Sequence, residues 1–349
     1  MVPWRYCLFG ALALIFPLSL SGLTVMVFGA AGLLFGLAGG GLVTRLGNCW
    51  GLLDRPGPRS SHQVSTPKGG GIGLLFAFFF GAFCSGFPAF LWLPAVVLSL
   101  VSMLGDRVEI PPWIRLIVQF AVTGLAVSWI FLHCAETSGL FQPFTALLLL
   151  CAAVFVAGTA NVYNFMDGID GLAGITGVLA FGLLAFTGGV RGENPSWVVL
   201  AMTLSAGCAG FLPWNFPRAR VFMGDVGSVL LGFVFALYVV AWSRTLADFL
   251  LFISFLLPFY LDEAVTLLPR LREGDSLTRP HRRHVYQILV NQMGIPHWRI
   301  SLLYGTVQLV VALVTLFLRP WGWPGEAVWL LAACGAGAGL ASWVRRRER

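Results

Sequence analysis

Long apolar stretches without charge are the feature that most restricts how this chain can fold. No charged residue occurs between Arg5 and Arg45, and further apolar runs follow along the sequence. About 20 apolar residues cross a bilayer as a helix. Because the runs are continuous and do not alternate, they predict helices and not the strands of a barrel. Only 11% of residues are charged, against about 25% in soluble domains, so we expect an all-α polytopic integral membrane protein.

Eleven transmembrane helices are predicted, with a twelfth at 6–22 that could also resemble a cleaved signal peptide. We expect 6–22 to be retained, because no small-x-small cleavage site follows it. The other segments are 24–46, 71–87, 89–104, 113–133, 142–160, 171–188, 196–214, 226–243, 246–268, 300–318 and 325–343. Together they form one membrane domain over 1–349, with a long basic loop at 269–299.

The basic residues predict the orientation of these helices. If the spans alternate, nearly all arginines and lysines fall on one side, and only Arg191, Arg244 and Arg319 fall on the other. Basic residues concentrate in cytoplasmic loops, so the crowded side is predicted to be cytoplasmic. The net charge of +7 then reflects topology and anionic lipid headgroups, and no nucleic-acid partner is expected.

A stripe of amides and acids follows the predicted span at 142–160. Asn161, Asn164, Asp167 and Asp170 recur every third residue. In an α-helix each three-residue step drifts about 60° around the axis, so the first and last members would face opposite sides. A tighter turn at the neighbouring glycines would bring all four together. A helix-capping role for either aspartate is the structural alternative.

Two further acidic loops share the cytoplasmic side. Asp225 lies in a Gly-Asp-Val-Gly-Ser sequence just before an apolar run, and Asn215 lies a short distance upstream. Asp106 lies between two spans. An N-cap and a solvated loop are the respective alternatives. Magnesium commonly binds one or two protein carboxylates and keeps water and phosphate as its other ligands, so these loops suit Mg²⁺, with Mn²⁺ as a substitute.

Cations for phosphate come from two more loops. The long basic loop contains Arg279, His281, Arg282, Arg283 and His284. A zinc site is disfavoured because no third ligand has a diagnostic spacing, whereas the arginines suit a diphosphate. A solvated juxtamembrane loop is the alternative.

The first cytoplasmic loop ends in Lys68 followed by three glycines, which allow close approach of the backbone to a helix or a phosphate. Phosphoryl-transfer enzymes use carboxylates to bind a metal ion and cations to neutralise phosphate oxygens. The place of these residues at the membrane surface indicates a lipid-borne substrate.

The runs 54–71, 161–171, 222–228 and 281–287 resemble the polyprenyl-phosphate N-acetylhexosamine-1-phosphate transferases, and the resemblance extends over about 24–318. It implies ten or eleven spans in the bacterial inner membrane, with a cytoplasmic active site. It also implies transfer of a sugar 1-phosphate from a UDP-N-acetylhexosamine to undecaprenyl phosphate, with release of UMP and with Mg²⁺.

The roles that follow from the loops and from the resemblance fall into three groups. We predict catalytic roles for Asp106, Asp167, Asp170, His281 and His284. Substrate-binding roles are predicted for Lys68, Asn164, Asn215, Arg279, Arg282 and Arg283, and Asp225 is the predicted metal ligand. Asp262 matches an acidic residue of the family to which the resemblance attaches no role.

One position departs from the family pattern. The family carries paired aspartates where this chain has Gly105 and Asp106, so the base that could deprotonate the lipid phosphate is reduced to one residue. A phosphate with a second pKa of about 6 is mostly ionised at neutral pH. Two roles therefore stay open for Asp106: it acts alone as the base, or it only orients other groups. Direct displacement and an aspartyl-phosphate route both remain open. Arg59, His62 and the form of the last loop resemble the O-antigen-initiating subgroup, and a homodimer is an open expectation.

Three alternatives remain at this point. A secondary transporter would place acids near the midplane and often show two related halves. A lipid-sugar-dependent glycosyltransferase acting outside the cell would present its acids on the arginine-poor side. The peptidoglycan or teichoic-acid branch of the same family would keep the chemistry and change the donor.

Overall fold

The computed structural model describes residues 22–55, 64–106, 108, 110–133, 145–274 and 282–348. Its elements are α1 (Gly22–Leu46), β1 (Leu53–Asp54), β2 (Thr66–Pro67), α2 (Ile72–Cys84), α3 (Ala89–Gly105), α4 (Pro112–His133), α5 (Thr145–Phe165), α6 (Leu172–Arg191), α7 (Pro195–Asn215), α8 (Asp225–Trp242), α9 (Leu246–Ser254), α10 (Leu257–Glu273), α11 (Val285–Asn291), α12 (His297–Leu318) and α13 (Trp323–Glu348). The two strands pair antiparallel as a short ribbon. The predicted all-α polytopic architecture is confirmed.

Within these described residues, eight helices are long and apolar enough to cross a membrane, and the bent pair α9–α10 makes a ninth. The apolar helices α2 and α3 are shorter, with 13 and 17 residues. The number eleven therefore stays a prediction, and the segment 6–22 lies outside the described residues.

The span predicted at 246–268 is wrong as a single helix. It breaks between α9 and α10, whose axes differ by 86°. Pro258 lies in the first turn of α10, where its missing N–H and fixed φ favour a helix start. Gln308 of α12 donates its side-chain amide to the carbonyl of Phe255 at 2.7 Å, which satisfies a backbone group that the break exposes.

Glycines set the closest helix packing. A Cβ added at Gly36 of α1 would lie 2.0 Å from the carbonyl oxygen of Gly207 in α7, and one added at Gly210 would lie 2.1 Å from that of Leu33. No side chain fits at such distances, so the backbones of α1 and α7 touch directly. Close backbone contact through small residues is a usual way for membrane helices to associate.

Helix α8 forms the centre of the bundle. Residues 226–239 are all buried, and the helix contacts α2, α3, α4, α5, α6 and α9. Ser99 of α3 donates to the carbonyl of Val226 at 2.5 Å and so fixes the start of α8 against its neighbour. Asp225 is the first residue of this helix, and its carboxylate is therefore held by the most enclosed element of the fold.

The alternating helices bring the described parts of five connections to one end of the bundle, here called the site end: 47–55 with 64–71, 106 with 108 and 110–111, 166–171, 216–224, and 274 with 282–296. These are the connections in which the sequence predicted functional residues. The connection predicted at 161–170 begins later, because α5 continues to Phe165 and includes Asn161 and Asn164. In an apolar helix, these two amides can still be satisfied by neighbouring helices, so they do not end it.

Candidate active site

A backbone ladder joins the glycine loop to the segment before α8. The N–H of Phe222 bonds to the carbonyl of Pro67 at 2.8 Å, and the carbonyl of Phe222 accepts from Gly69 and Gly70 at 3.1 and 2.9 Å. A Cβ added at Gly71 would lie 2.6 Å from Cα of Gly227, which explains why glycine is needed there. The ladder places Lys68 directly beside the start of α8.

Lys68 bridges two carboxylates from different helices. Its Nζ lies 2.6 Å from Oδ1 of Asp106, which caps α3, and 3.5 Å from Oδ1 of Asp225. The other oxygen of Asp225 lies 2.6 Å from a guanidinium nitrogen of Arg115 in α4. Asp106 Oδ2 also accepts from the N–H of Asp225 at 3.2 Å. Three predicted residues and one unpredicted cation, Arg115, thus form one network.

Asp167 completes this group, which we call the carboxylate cluster: Asp106, Asp167 and Asp225 with Lys68 and Arg115. The charges of Lys68, Asp225 and Asp106 and the backbone N–H of Gly224 all act on the carboxylate of Asp167. Asp167 follows the end of α5, and Asp225 begins α8, which packs against α5. Of the polar stripe, Asp167 is therefore the member that the structure brings into the electrostatic network of Asp225.

Burial dominates the acid–base properties of the cluster. It raises the pKa of Asp167 well above the usual aspartate range, and the negative charges of Asp225 and Asp106 add to it against the attraction of Lys68. Burial and then Asp225 likewise raise the pKa of Asp106. For Lys68, burial alone would lower the pKa, but Asp225 and Asp106 outweigh it and raise the pKa above the usual lysine value. Lys68 is therefore a fixed cation, and Asp106 and Asp167 attract positive charge.

The polar stripe divides by helix face. Asn161 donates to Oε1 of Gln119 in α4 at 3.1 Å and to the carbonyl of Ala157, so it supports the α4–α5 contact. Asn164 faces α8, where the buried hydroxyl of Ser228 donates to its Oδ1 at 2.7 Å. Asn161 and Asn164 therefore contact different helices, although the helical drift between neighbouring members is only about 60°.

Asp170 turns towards the start of α12. Its carboxylate lies 3.3 Å from Nδ1 of His297, and its carbonyl accepts from the hydroxyl of Ser301 at 2.7 Å. His297 was missed by sequence reasoning, since one histidine before an apolar run has no pattern that separates it from an ordinary interfacial residue. The recorded partners of Asp170 thus lie on α12, on the side of the turn away from Lys68.

Asn215 lies at the end of α7 and is 3% exposed. Its Oδ1 accepts from the N–H of Gly171 at 2.8 Å, and its Nδ2 donates to the carbonyl of Val221 at 3.0 Å. Both ends of the amide are therefore used to join the turn after Asp170 to the loop before Asp225. The predicted substrate-binding role stays a prediction, while the structure gives Asn215 a scaffolding role.

The basic loop is only partly described. Arg279 and His281 lie outside the described residues, as do Arg59 and His62. Arg283 pairs with Glu273 at 2.5 Å on the surface, and Arg282 is half-buried.

His284 is buried, with Nδ1 3.3 Å from Asp262 Oδ1 and Nε2 3.8 Å from Glu263 Oε2. Its imidazole therefore meets carboxylates of α10, and none of its recorded partners belongs to the carboxylate cluster.

Arg115 is the main functional candidate that sequence reasoning missed. A lone arginine at the start of a span reads as a topology signal, and its partner Asp225 is 110 positions away. A Cβ added at Gly105 would lie 3.6 Å from the guanidinium carbon of Arg115. Gly105, where the family pattern has an aspartate, thus faces the cation that pairs with Asp225.

The donor set of the cluster fits a magnesium ion. Asp225, Asp167 and Asp106 offer hard carboxylate oxygens, and burial, followed by the negative charges of the neighbouring carboxylates, raises the pKa of Asp106 and Asp167. Among the described residues, no group of three or more histidine, cysteine or acidic side chains forms a ready metal site. This is compatible with Mg²⁺, which needs only one or two protein carboxylates when a diphosphate supplies further oxygens.

The far end of the bundle holds acids of another kind. Glu193 lies 2.9 Å from Arg244, Asp248 lies 2.7 Å from Arg191, and Glu326 is fully buried against Arg319 at 3.3 Å. Asp248 also caps α9 in a reciprocal pair with Thr245. These described acids are all matched by arginines, so they form a structural network and leave the cluster at the site end as the candidate for chemistry.

Comparisons with known proteins show which chains this one is similar to. The family model described as Glycosyl transferase family 4 matches residues 88–243, which include Asp106, Asp167 and Asp225. The chain is 29% identical over 313 residues to the decaprenyl-phosphate N-acetylglucosaminephosphotransferase of Mycobacterium leprae, covering 76% of this chain and 77% of that protein.

Two further relatives carry names of the same kind. The chain is 28% identical over 266 residues to the undecaprenyl-phosphate alpha-N-acetylglucosaminyl 1-phosphate transferase of Thermotoga maritima, covering 76% and 81% of the two chains. It is 29% identical over 260 residues to the protein of that name from Salmonella typhi, covering 69% of each chain.

Proposed function

We propose that the chain transfers a sugar 1-phosphate from a UDP-N-acetylhexosamine to a polyprenyl phosphate, because it matches the glycosyl transferase family 4 model over residues 88–243 and is similar to polyprenyl-phosphate N-acetylglucosamine phosphotransferases. An oxygen of the acceptor phosphate forms a bond to the phosphorus that carries the sugar. The bond from that phosphorus to the bridging oxygen breaks, and UMP leaves with the electron pair. The products are a polyprenyl diphospho-sugar and UMP.

The observation that carries this proposal is the carboxylate cluster at one end of a membrane bundle. Phosphoryl transfer depends mainly on positioning and on neutralising the charge of phosphate oxygens. Lys68 and Arg115 supply fixed positive charge, and both are held by short contacts to Asp106 and Asp225. A nucleotide diphosphate entering the site therefore meets two pre-positioned cations from different elements.

Asp225 and Asp167 are the residues we assign to Mg²⁺, with Mn²⁺ as a substitute. When bound, the ion neutralises charge on the diphosphate and on the leaving phosphate. Asp106 keeps Lys68 in place through its 2.6 Å contact and orients the N–H of Asp225. The raised pKa of Asp106 lets it hold a proton of the acceptor phosphate more readily than an exposed aspartate could.

An apolar cavity beside the cluster supports a lipid-borne acceptor. A cavity of about 340 Å³ is lined by Asp106 and by the apolar residues Val43, Trp50, Leu52, Ile72 and Met103. An acceptor with a phosphate headgroup and a hydrocarbon chain matches a mainly apolar lining that includes a residue of the carboxylate cluster. We assign the site end to the cytoplasmic side of the inner membrane on the basis of its basic loops.

The relatives' names favour UDP-N-acetylglucosamine as the first donor to test and both decaprenyl and undecaprenyl phosphate as acceptors. The resemblance of the last loop further suggests initiation of O-antigen or another surface polysaccharide. A UDP-6-deoxy-N-acetylhexosamine therefore belongs in the same panel.

The site location disfavours the rival functions. A transporter with a carboxylate relay would use acids near the middle of the spans, whereas Asp106 and Asp225 lie at helix ends. An enzyme acting at the far end would need free acids there, but Glu193, Asp248 and Glu326 are paired with arginines.

The test is UMP release by purified protein in lipid bilayers, with a polyprenyl phosphate, Mg²⁺ and a panel of UDP-amino sugars. We expect turnover with at least one donor that disappears when EDTA is added. Failure of a folded, monodisperse preparation to release UMP from every donor would refute the function.

Asp225→Asn is the matching variant, because it keeps the size of the side chain and removes the charge that the metal and Arg115 require. We expect at least a hundredfold loss of kcat with an unchanged melting curve. Glu193→Gln, which neutralises a paired carboxylate at the far end, serves as the control and should retain activity. Full activity of Asp225→Asn would remove Asp225 from the metal site.

A further inference from the structure

One buried carboxylate organises the start of helix α11. Asp262 of α10 is 3% exposed. Its Oδ1 accepts from the N–H of Val285 at 2.9 Å, and its Oδ2 accepts from the N–H of Tyr286 at 3.1 Å. The hydroxyl of Tyr304 in α12 donates to the same Oδ2, and Nδ1 of His284 lies 3.3 Å from Oδ1. A single side chain thus binds α11 to α10 and α12.

Helix α11 in turn reaches the turn that carries Asp167 and Asp170. The hydroxyl of Tyr286 donates to the carbonyl of Phe165, the last residue of α5, at 2.9 Å. A Cβ added at Gly168 would lie 2.1 Å from that hydroxyl oxygen. The Tyr286 side chain therefore fills the space that a side chain at position 168 would need, and it joins the end of α5 to α11.

We infer that Asp262 is a positioning residue that acts through Tyr286 on the Asp167–Asp170 turn, an inference that rests on the proposed function for its kinetic consequences. Tyr286 contacts the backbone on either side of Asp167. The path runs from Asp262 through two backbone N–H groups to Tyr286, and from its hydroxyl to Phe165 and Gly168. The carboxylate of Asp262 thereby connects the basic loop to the turn that carries Asp167 and Asp170.

An ionised aspartate suits this role better than an amide. Both oxygens of Asp262 accept backbone N–H bonds, and such bonds to a charged acceptor are about twice as strong as neutral ones. Asparagine would offer one accepting oxygen and would turn its NH₂ group towards a donor N–H. Asp262→Asn should therefore loosen α11 without removing any group that touches the substrate.

The kinetic test uses a matched pair of tyrosines. Tyr286 and Tyr238 are both fully buried, and both hydroxyls donate to a backbone carbonyl, that of Phe165 at 2.9 Å and that of Trp197 at 2.6 Å. Tyr286→Phe should lower kcat/KM for the UDP-sugar between about twofold and tenfold, with an unchanged KM for the polyprenyl phosphate. Tyr238→Phe should change the melting temperature by a similar amount and leave both kinetic constants at wild-type values.

Asp262→Asn tests the first step of the path. We expect a loss of about tenfold or more in the same donor constant, and the double variant with Tyr286→Phe should be no worse than Asp262→Asn alone, because serial steps are not additive. The inference would be overturned if the losses of the two single variants multiply in the double variant. It would also be overturned if Tyr286→Phe behaves like Tyr238→Phe. If Asp262→Asn does not fold, the comparison of the two tyrosine variants decides alone.

Hydrogen exchange separates this inference from the proposed function. In wild type and Asp262→Asn, amide exchange is followed at 166–171 and at 285–289, which requires no turnover. We expect faster exchange at both segments in the variant. Faster exchange at 285–289 alone would show that α11 does not hold the turn. A wild-type protein without transferase activity would refute the function and leave this result intact.

Discussion

Gly105→Asp tests how the charges of the carboxylate cluster are balanced. The residue ends α3, and a Cβ added there lies at ordinary van der Waals distances of 3.6 and 3.8 Å from Arg115 atoms. The new carboxylate would reach the guanidinium group that now pairs with Asp225 at 2.6 Å. It therefore competes with Asp225 for Arg115 and adds a negative charge beside the proposed Mg²⁺ site.

The expected size of the effect follows from the surroundings. The side chain of Arg115 is 36% exposed, so its new pair contributes only about 0.2–1 kcal/mol. Replacing glycine in a helix stabilises the fold by about 0.5–1 kcal/mol, and a negative charge at a helix C-terminus offsets this by about 0.3–1 kcal/mol. Stability should thus stay nearly constant. If breaking the Arg115–Asp225 pair makes at most about 1 kcal/mol available to metal binding, Mg²⁺ binds at most about fivefold more tightly.

The assay is a Mg²⁺ titration of UMP release at fixed UDP-sugar and polyprenyl phosphate. Gly105→Asp should lower the half-saturating Mg²⁺ concentration by about two- to fivefold. Gly105→Asn, which has the same size without the charge, should match the wild type. Equal shifts in the two variants, or a higher Mg²⁺ requirement in Gly105→Asp, would refute the proposed competition for Arg115.

Two further predictions concern pH and Asn215. Asp106 and Asp167 have raised pKa values, so acidification should weaken Mg²⁺ binding at a higher pH than an exposed carboxylate would. In the metal-free protein, pH acts on folding stability in the opposite direction. A carboxylate whose pKa is higher in the folded than in the unfolded state stabilises the fold at low pH, and this stabilisation is lost as the pH rises. The Tm should therefore fall from pH 5 to pH 7, and less steeply in Asp167→Asn. Asn215→Ala leaves two buried backbone groups without partners and should cost about 1–3 kcal/mol of stability, read from Tm, with an unchanged KM for the UDP-sugar. A raised KM at unchanged Tm would instead make Asn215 a substrate ligand.

Much of the architecture could be predicted from local sequence. Continuous apolar runs predict helices because a bilayer requires every backbone group to be satisfied within the segment. The alternation of spans then places Lys68, Asp106, Asp167 and Asp225 at one end, and the structure brings these four together. The step of three in the polar stripe also predicts that its first and last members face different sides, and Asn161 and Asp170 indeed contact different helices.

The remaining features depend on which helices become neighbours. Arg115 and Asp225 are 110 positions apart, and Asp170 and Ser301 are 131 apart, so no spacing in the sequence relates them. The break between α9 and α10 has one signal in the sequence, Pro258, but apolar residues continue through it, and its exposed carbonyl is satisfied by Gln308 from the distant α12. Long-range contacts of this kind are set by packing and not by periodicity.

The position of Lys68 between Asp106 and Asp225 has a consequence for the order of binding. Before any ligand arrives, the negative charges are already matched by Lys68 and Arg115, so a metal ion must displace these ammonium and guanidinium contacts to bind. Metal binding is then an ion exchange, and its free energy is reduced by the pairs that it breaks. A diphosphate would accept the displaced cations, which would give the proposed Mg²⁺ and nucleotide a favourable coupling free energy. Each of these proposed ligands would therefore strengthen the binding of the other, and the affinity for metal would be highest with the UDP-sugar bound.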